Sequence, residues 1–375
     1  MTELPSSIGN LKHRYLNLSH AHIKELPDSI CSLLNLQTLI LDNCQKLERL
    51  PQNMMYLRSV RHVFLKWCRL IEMPQKIGQL TYLKTLTVFV VGKSTDCNLL
   101  AESLNLGGKL CIEHLERVRN PMDAKEANLV GKQNLSQMEL NWEYSLAESE
   151  SENDESESQE IDEAESQENV EFESSENVEF KNIVNAQLYK CNNCLQLPPF
   201  GQLPFLQILE IHGMDEVLEY IENEYPGGGG FPSLVEFDVY YCPNLKALSR
   251  EEGRELFPHL QKICISNCPK LSLPHLSSPK ELWFSSKCTM VLNSISNLNS
   301  LTSLTIGYDK ETVCFPKEFM RNLTLHESLV IKYCEELKVL PEDLASLATL
   351  KSLEILRCPK LKSLPEKRLR GLESL

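Results

Sequence analysis

Apolar residues follow one repeated pattern along most of the chain. Residues 36–44 read LQTLILDNC, in which an apolar residue, two variable residues, an alternating apolar pair and two further variable residues precede a cysteine. We take the first residue of that apolar pair as the marker of each repeat. The pattern recurs with these markers: Leu16, Leu39, Val63, Leu86, Leu110, Met138, Ala186, Leu209, Phe237, Ile263, Leu282, Leu304, Leu329 and Leu353. The first four markers lie 23 or 24 residues apart.

The alternation within each repeat predicts one short β-strand, because apolar residues two apart on an extended segment point to the same face. A single repeat cannot bury that face, whereas stacked repeats bury one continuous core. The spacing falls in the range of about 20 to 29 residues that is typical of leucine-rich repeats. The sequence therefore predicts an α/β fold, a leucine-rich-repeat solenoid or horseshoe arc with a parallel concave β-sheet and mostly irregular convex returns.

Proline marks the return segments, since it stops a strand and orders an irregular connection. Leu-Pro pairs or the Met-Pro variant recur at Leu4-Pro5, Leu26-Pro27, Leu50-Pro51, Met73-Pro74, Leu340-Pro341 and Leu364-Pro365. One longer return, opening at Asn120-Pro121, has the composition of a helix.

Cysteine follows the marker by five residues in seven repeats, at Cys44, Cys68, Cys191, Cys242, Cys268, Cys334 and Cys358. Many leucine-rich repeats have an asparagine here, and a thiol can fill the same slot as a weaker donor. This regularity indicates free, buried thiols in a reducing compartment. Three repeats are weaker, because His13, Pro279 and His326 replace the leucine that precedes the marker, and we expect irregular turns there.

The net charge of −14 comes from one segment, since residues 148–180 contain fifteen Asp or Glu and no Lys or Arg. Such a polar, low-complexity stretch cannot bury enough apolar surface to fold. It predicts a disordered acidic loop at 147–181 between repeat blocks at 1–146 and 182–375. The loop is a solvated spacer or, alternatively, an electrostatic contact for a basic partner. The remaining surface is balanced at about +1 and has no basic stripe that would indicate nucleic-acid binding.

No catalytic or cofactor motif fits the sequence. Gly92-Lys93-Ser94 matches the last three residues of a phosphate-binding loop motif, but Thr87 stands where that motif needs its first glycine. Cys191 and Cys194 form a CxxC with no second pair for zinc. We expect no cofactor, no metal and no enzymatic activity. No apolar run approaches the roughly 20 residues of a membrane span, and no secretory signal opens the chain, so we expect a cytoplasmic protein.

Variable positions between and just after the inward leucines lie on the concave surface of the predicted sheet, and many of them carry bulky side chains. Aromatic residues and arginine are favoured in binding hot spots. We expect a protein-binding face formed by Phe64, Lys66, Trp67, Phe89, Tyr189, His212, Tyr240, Tyr241, Tyr308, Lys332, Tyr333 and Arg357. Replacing Trp67 or Tyr241 with alanine should weaken partner binding without unfolding the chain.

Four segments resemble the leucine-rich-repeat region of plant nucleotide-binding leucine-rich-repeat (NB-LRR) disease-resistance proteins. They are YLKTLTVFVVGK (82–93), GKLCIEHLERVRNPMDAKEANLVGKQNLSQMELNW (108–142), LPPFGQLPFLQILEIHGM (197–214) and FPSLVEFDVYYCPNL (231–245). The resemblance implies a module of an intracellular immune receptor that senses a pathogen effector or a modified host protein and restrains a nucleotide-binding switch domain. The chain lacks that domain's motifs, so ATP binding is not carried over.

Three alternatives to this function remain open at the sequence level. The chain could be a stand-alone leucine-rich-repeat interaction scaffold, a truncated remnant of a receptor gene, or the substrate arm of an enzyme. Both ends of the sequence interrupt a return segment, from which we expect a fragment or an array that once had neighbours.

Overall fold

A computed structural model describes most of the chain outside the acidic segment. The described residues are 2–93, 97–100, 105–118, 129–142, 182–191, 197, 200–214, 218–221, 230–249, 256–285, 288–316, 319, 323–340, 344 and 349–362. The chain divides into two compact units, Met1–Ser175 and Glu176–Leu375. The predicted acidic loop at 147–181 lies outside the described residues, as do residues 119–128, which contain most of the helix predicted from Asn120 to Val130.

The described residues of the first unit form seven short strands. These are β1 (Tyr15–Asn17), β2 (Thr38–Ile40), β3 (His62–Phe64), β4 (Thr85–Leu86), β5 (Val88–Val90), β6 (Gly107–Glu113) and β7 (Asn134–Asn141). Strands β1 to β4 form a parallel sheet, and β5 to β7 pair in parallel with one another. Register joins marker to marker, with Leu16 opposite Leu39 and Leu110 opposite Met138.

The described residues of the second unit form eight parallel strands in chain order. These are β8 (Asn185–Tyr189), β9 (Ile208–His212), β10 (Glu236–Tyr240), β11 (Lys262–Ser266), β12 (Glu281–Ser285), β13 (Ser303–Gly307), β14 (Ser328–Lys332) and β15 (Ser352–Leu356). Their markers again pair with one another from Ala186 through to Leu353. All fourteen sequence markers therefore lie in strands, which confirms the predicted leucine-rich-repeat solenoid.

Alternation builds the core of each unit. On β9, Leu209 and Ile211 are fully buried, whereas the residues on either side of them are only partly covered. The same burial pattern repeats on β8, β10 and β14. Full burial of one such side chain contributes about 1.5 to 3 kcal/mol, so the inward pairs provide most of the stability.

Several returns are more regular than the sequence predicts. Proline is the residue before 3-10 helices at Ser6–Asn10, Asp28–Ser32 and Gln52–Tyr56. Its fixed φ suits the first turn, and a helix start needs no N–H donor at that position. Other short 3-10 helices occur at Ile77–Gln79, Cys97–Leu100, Leu115–Arg117, Leu129–Gly131, Phe200–Gln202 and Ile295–Asn297. Within the described residues one α-helix, α1 (Thr289–Ser294), precedes the last of these.

Repeat cysteines link neighbouring turns. The thiols of Cys44 and Cys68 each donate to a carbonyl oxygen one turn back, that of Leu18 or Leu41, at 3.2 Å. Burial raises the pKa of the Cys68 thiol to about 12, which keeps it protonated as a donor. Cys191 departs from the expected free thiols, because it is disulfide-bonded. The other repeat cysteines are free, as predicted.

The three repeats that we expected to be irregular each form a strand, so that prediction was wrong. His326 is fully buried in the leucine position before β14, and Pro279 is buried before β12. His13 is exposed before β1, the first strand, where no earlier described strand packs against it. Stacking between turns therefore tolerates one poor residue per repeat.

Candidate protein-binding face

Three rows of residues face outward from each sheet, and each is defined by its distance from the marker. The residue after the marker forms the mid-strand row, the residue three after it forms the strand-end row, and the residue four after it forms the turn row. In-register pairing places equivalent residues side by side on adjacent strands, about 4.8 Å apart. The strand-end row of the second unit reads Tyr189, His212, Tyr240, Ser266, Ser285, Gly307, Lys332 and Leu356.

The first three members of this strand-end row form a stacked ladder. The ring centroids of Tyr189 and His212 lie 4.5 Å apart with an interplanar angle of 18°. His212 stacks on Tyr240 at 4.5 Å and 21°. Register produces this arrangement, because the three residues are direct partners across β8, β9 and β10.

A second ladder lies in the turn row of the same unit. Tyr308 stacks on Tyr333 at 4.6 Å with an interplanar angle of 7°. The guanidinium carbon of Arg357 lies 5.4 Å from the Tyr333 ring centroid, within cation–π range. Lys332 precedes Tyr333 in the strand-end row, so this ladder is basic.

The turn row has an unusual backbone conformation. All ten non-glycine residues with positive φ among the described residues belong to it, and they include Trp67, Tyr241, Tyr308, Tyr333 and Arg357. The left-handed conformation aims the backbone N–H of Tyr241 at the carbonyl of Ser266, 2.9 Å away on the next turn. Glycine or asparagine adopts this conformation at lower cost, by about 1 kcal/mol per residue.

Large side chains in this row are therefore retained at an energetic cost. Trp67 and Tyr241 are 57% and 59% exposed, so packing does not recover that cost. Strain of this kind tends to persist at functional positions.

Mid-strand residues beneath the first ladder are acidic, which sequence inspection for bulky side chains missed. Glu210 accepts a hydrogen bond from the Gln187 amide at 2.7 Å, and its other oxygen lies 3.7 Å from His212 Nε2. Asp238 is its register partner on β10. Burial raises the pKa of Asp238 to about 6, and the nearby carboxylates act in the same direction. The residue that directly follows each marker in the sequence is the signal from which this acidic row could have been predicted.

The predicted residues of the first unit have mixed outcomes. Phe64 and Lys66 are partly exposed, and Trp67 is well exposed. Phe89 is only 1% exposed, so its placement on the binding face was wrong. The chain slips by one residue after Leu86, so that Phe89 pairs with the inward Ile112 and turns into the core.

Within the described ranges no group of three or more His, Cys, Asp or Glu side chains could hold a metal ion. No helix in the described part of the chain is long and apolar enough to cross a membrane.

Comparison with known proteins places the repeats in a family. A family model described as "Leucine-rich repeat region" matches residues 2–272. RGA1 of Solanum bulbocastanum, a disease resistance protein, is 39% identical over 355 residues, which cover 92% of this chain and 36% of that protein. RGA4 of the same species is 38% identical over 350 residues, covering 83% and 35%. Disease resistance protein RGA2, also from Solanum bulbocastanum, is 40% identical over 286 residues, covering 72% and 27%.

This chain spans about a third of the length of the first two relatives. The match is high in identity and covers most of this chain, so it extends well beyond the generic repeat pattern. The chain belongs to the leucine-rich-repeat family and corresponds to the leucine-rich-repeat region of plant NB-LRR disease-resistance proteins.

Proposed function

We propose that this chain is the non-catalytic recognition and autoinhibitory module of an intracellular plant immune receptor. Its outward sheet face binds a protein, either a pathogen effector or a modified host protein. In a full receptor the same face also contacts a nucleotide-binding switch domain in the cytoplasm and restrains it until the other protein binds. Binding that favours one arrangement of module and switch domain shifts the equilibrium between the two states.

The observation that carries this proposal is the set of large, exposed side chains held in strained backbone. Asparagine or glycine would adopt the left-handed backbone conformation at a lower energetic cost than Trp67 and Tyr241 do. The side chains of both residues are mostly exposed, so burial does not offset that cost. Contact with a partner would give them a role, since aromatic residues bury a large area with few rotatable bonds.

The stacked ladders support the same conclusion. Tyr189, His212 and Tyr240 hold one another in fixed orientation, as do Tyr308 and Tyr333. A pre-ordered ring loses less conformational entropy when a partner binds, by about 0.5 to 1.5 kcal/mol for each side chain. These ladders are therefore suited to protein recognition.

The test is co-precipitation of the chain, produced in plant cytosol, with a separately expressed nucleotide-binding switch domain of a disease-resistance receptor. Two variants, Trp67→Asn and Tyr241→Asn, remove the exposed rings but suit the left-handed backbone. We expect each to reduce association about fivefold or more, since losing a side chain that contributes to binding costs more than about 1 kcal/mol. Their melting temperatures should equal or exceed that of the parent chain, because the strain is relieved.

Phe205→Ala is the matched control. Phe205 is a 55% exposed aromatic residue that lies before β9, outside the three outward rows. Its loss should leave association unchanged. A folded chain that does not associate with the switch domain would contradict the autoinhibitory role and favour a stand-alone interaction scaffold.

A further inference from the structure

Cationic and aromatic side chains lie together on the outward face of β13, β14 and β15. We call this group the basic ladder site, and it consists of Tyr308, Lys332, Tyr333 and Arg357. The two rings and the arginine belong to the turn row, whereas the lysine belongs to the strand-end row. In-register pairing of the three strands places these side chains next to one another.

Tyr333 lies at the centre of the site, and both faces of its ring are covered. Its ring centroid lies 4.6 Å from that of Tyr308 and 5.4 Å from the guanidinium carbon of Arg357. Because β13 and β15 flank β14 on opposite sides, the two contacts use opposite faces of the ring. A guanidinium held over a ring keeps its N–H edge free for a carboxylate, so Tyr333 positions Arg357.

Lys332 lies against a strand that has no side chain at the equivalent place. Its register partner on β13 is Gly307. The Cγ and Cε atoms of Lys332 lie 3.4 and 3.5 Å from the position that a Cβ atom of Gly307 would take. Glycine therefore leaves the lysine stem room to lie across β13, beside the ladder.

Positive charge at this site is not neutralised by neighbouring carboxylates. Neither Arg357 nor Lys332 forms an ion pair with any described residue. Glu354 is the single carboxylate in the three outward rows of β13, β14 and β15, and it is exposed. Asp309, next to the turn row, is 7% exposed and accepts hydrogen bonds from two backbone N–H groups of its own turn. The site therefore presents two available cations to a partner.

The surroundings of the cations favour a protein over a nucleic acid. Tyr308 and Tyr333 are in direct ring contact, so no base can insert between them. Leu356 is 43% exposed beside Arg357, whereas nucleic-acid interfaces are more polar and carry more positive charge. Two cations are also few for a ligand that binds through many phosphate contacts.

We propose that the basic ladder site binds an acidic segment of the partner protein, with one carboxylate paired with Arg357 and another with Lys332. The planar guanidinium can donate two parallel hydrogen bonds to one carboxylate. Contact with Tyr333 fixes the arginine before the partner arrives, which lowers the entropy lost on binding. This inference rests on the proposed protein-binding function and adds the chemistry of the partner.

The test uses the full chain and two fluorescent peptides, hexa-glutamate and hexa-serine, with binding followed by anisotropy at about 50 mM salt, where charges are screened weakly. Arg357→Gln removes the charge and keeps a long polar side chain. We expect it to weaken hexa-glutamate binding about threefold to fivefold, the scale of one partly exposed ion pair. Lys332→Gln should act in the same direction and serves as the second variant if Arg357→Gln fails to fold. Hexa-serine should not bind.

Tyr333→Asn tests whether the ring positions the arginine. The variant removes the ring but suits the left-handed backbone, so it should be at least as stable as the parent chain. It should still weaken hexa-glutamate binding about twofold, because Arg357 loses its fixed orientation. In the Arg357→Gln background the same change should have no further effect, which a purely structural role of Tyr333 would not produce.

Lys280→Gln is the matched control. Lys280 is an exposed lysine of the same unit that lies just before β12, outside the three outward rows. Its loss should change binding by less than about 1.5-fold. The acidic segment at 147–181 repels hexa-glutamate in every variant, so differences between variants report the site.

No hexa-glutamate binding by the folded parent chain, or equal binding by folded Arg357→Gln, Lys332→Gln and Lys280→Gln chains, would overturn the inference. Tighter binding of a six-nucleotide RNA that Arg357→Gln weakens would also overturn it and assign the site to nucleic acid. Dimerisation of the parent chain that Arg357→Gln abolishes would overturn it too, by identifying the acidic segment of a second copy as the occupant.

Failure of this inference can be told apart from failure of the proposed function. If hexa-glutamate binding does not depend on Arg357 while Tyr241→Asn still reduces association with the switch domain, the proposed function stands without this site. Binding that depends on Arg357, with no effect of Tyr241→Asn on association, would instead support the site and contradict the autoinhibitory role.

Discussion

Two kinds of residue depart from the repeat for opposite reasons. The strained aromatic residues of the turn row, such as Tyr241, are exposed, and the proposed contact with a partner would explain why they are large. His326 is fully buried at a position where neighbouring repeats have Leu301 and Leu350. A buried histidine has to remain neutral, so His326 is a weak point of the core that depends on pH.

His326 should make the second unit sensitive to acid. Burial lowers the pKa of its imidazole in the folded chain below the ordinary value of 6.5. The unfolded chain therefore binds the proton first, and stability should fall as pH drops below about 6.5, by up to about 1.4 kcal/mol per pH unit. Denaturant unfolding of the parent chain and of His326→Leu between pH 7.5 and pH 5 measures the difference.

Leucine cannot bind a proton, so His326→Leu should not show this loss of stability in acid. Its stability advantage over the parent chain should therefore grow as the pH falls. His259→Gln is the control, because His259 is exposed before β11. A constant difference between His326→Leu and the parent across the pH range would show that His326 is not held neutral by burial.

At the scale of elements, strands follow directly from the sequence, whereas the contacts between side chains do not. The alternation around each marker is local, and all fourteen markers lie in strands as predicted. The slip that buries Phe89 arises from pairing between β5 and β6, which a single repeat does not encode. Stacking of Tyr189, His212 and Tyr240 likewise depends on register across three strands, so the residues were predicted but their ladder was not.

Energetic coupling between strands should be short-ranged. Leu304 on β13 is fully buried, and Leu304→Ala should cost about 2 to 5 kcal/mol by leaving a cavity. Each turn contacts mainly its neighbours, so hydrogen exchange should accelerate most in β12, β13 and β14 and least in β8. Thr305→Ala, at the adjacent outward position, should change the stability by less than about 0.5 kcal/mol. A uniform acceleration over β8 to β15 would contradict a solenoid whose stability is a sum of neighbour contacts.

At the scale of the whole molecule, two repeat units carry their outward rows on sheets of the same construction. The family fixes this scaffold and leaves the outward positions free, so the ladders and the acidic row distinguish this chain from a generic leucine-rich repeat. The central claim is that this outward face, and not the return side, binds the partner.

The most direct test is hydroxyl-radical footprinting of the chain alone and in complex with the partner captured by co-precipitation. We predict that oxidation of Trp67, Tyr241 and Tyr308 decreases severalfold in the complex, since these rings become buried. Phe205 and Tyr82, which are exposed outside the strands, should react at unchanged rates. Protection of Phe205 and Tyr82 with no change at Trp67, Tyr241 and Tyr308 would contradict the account and assign binding to the return side.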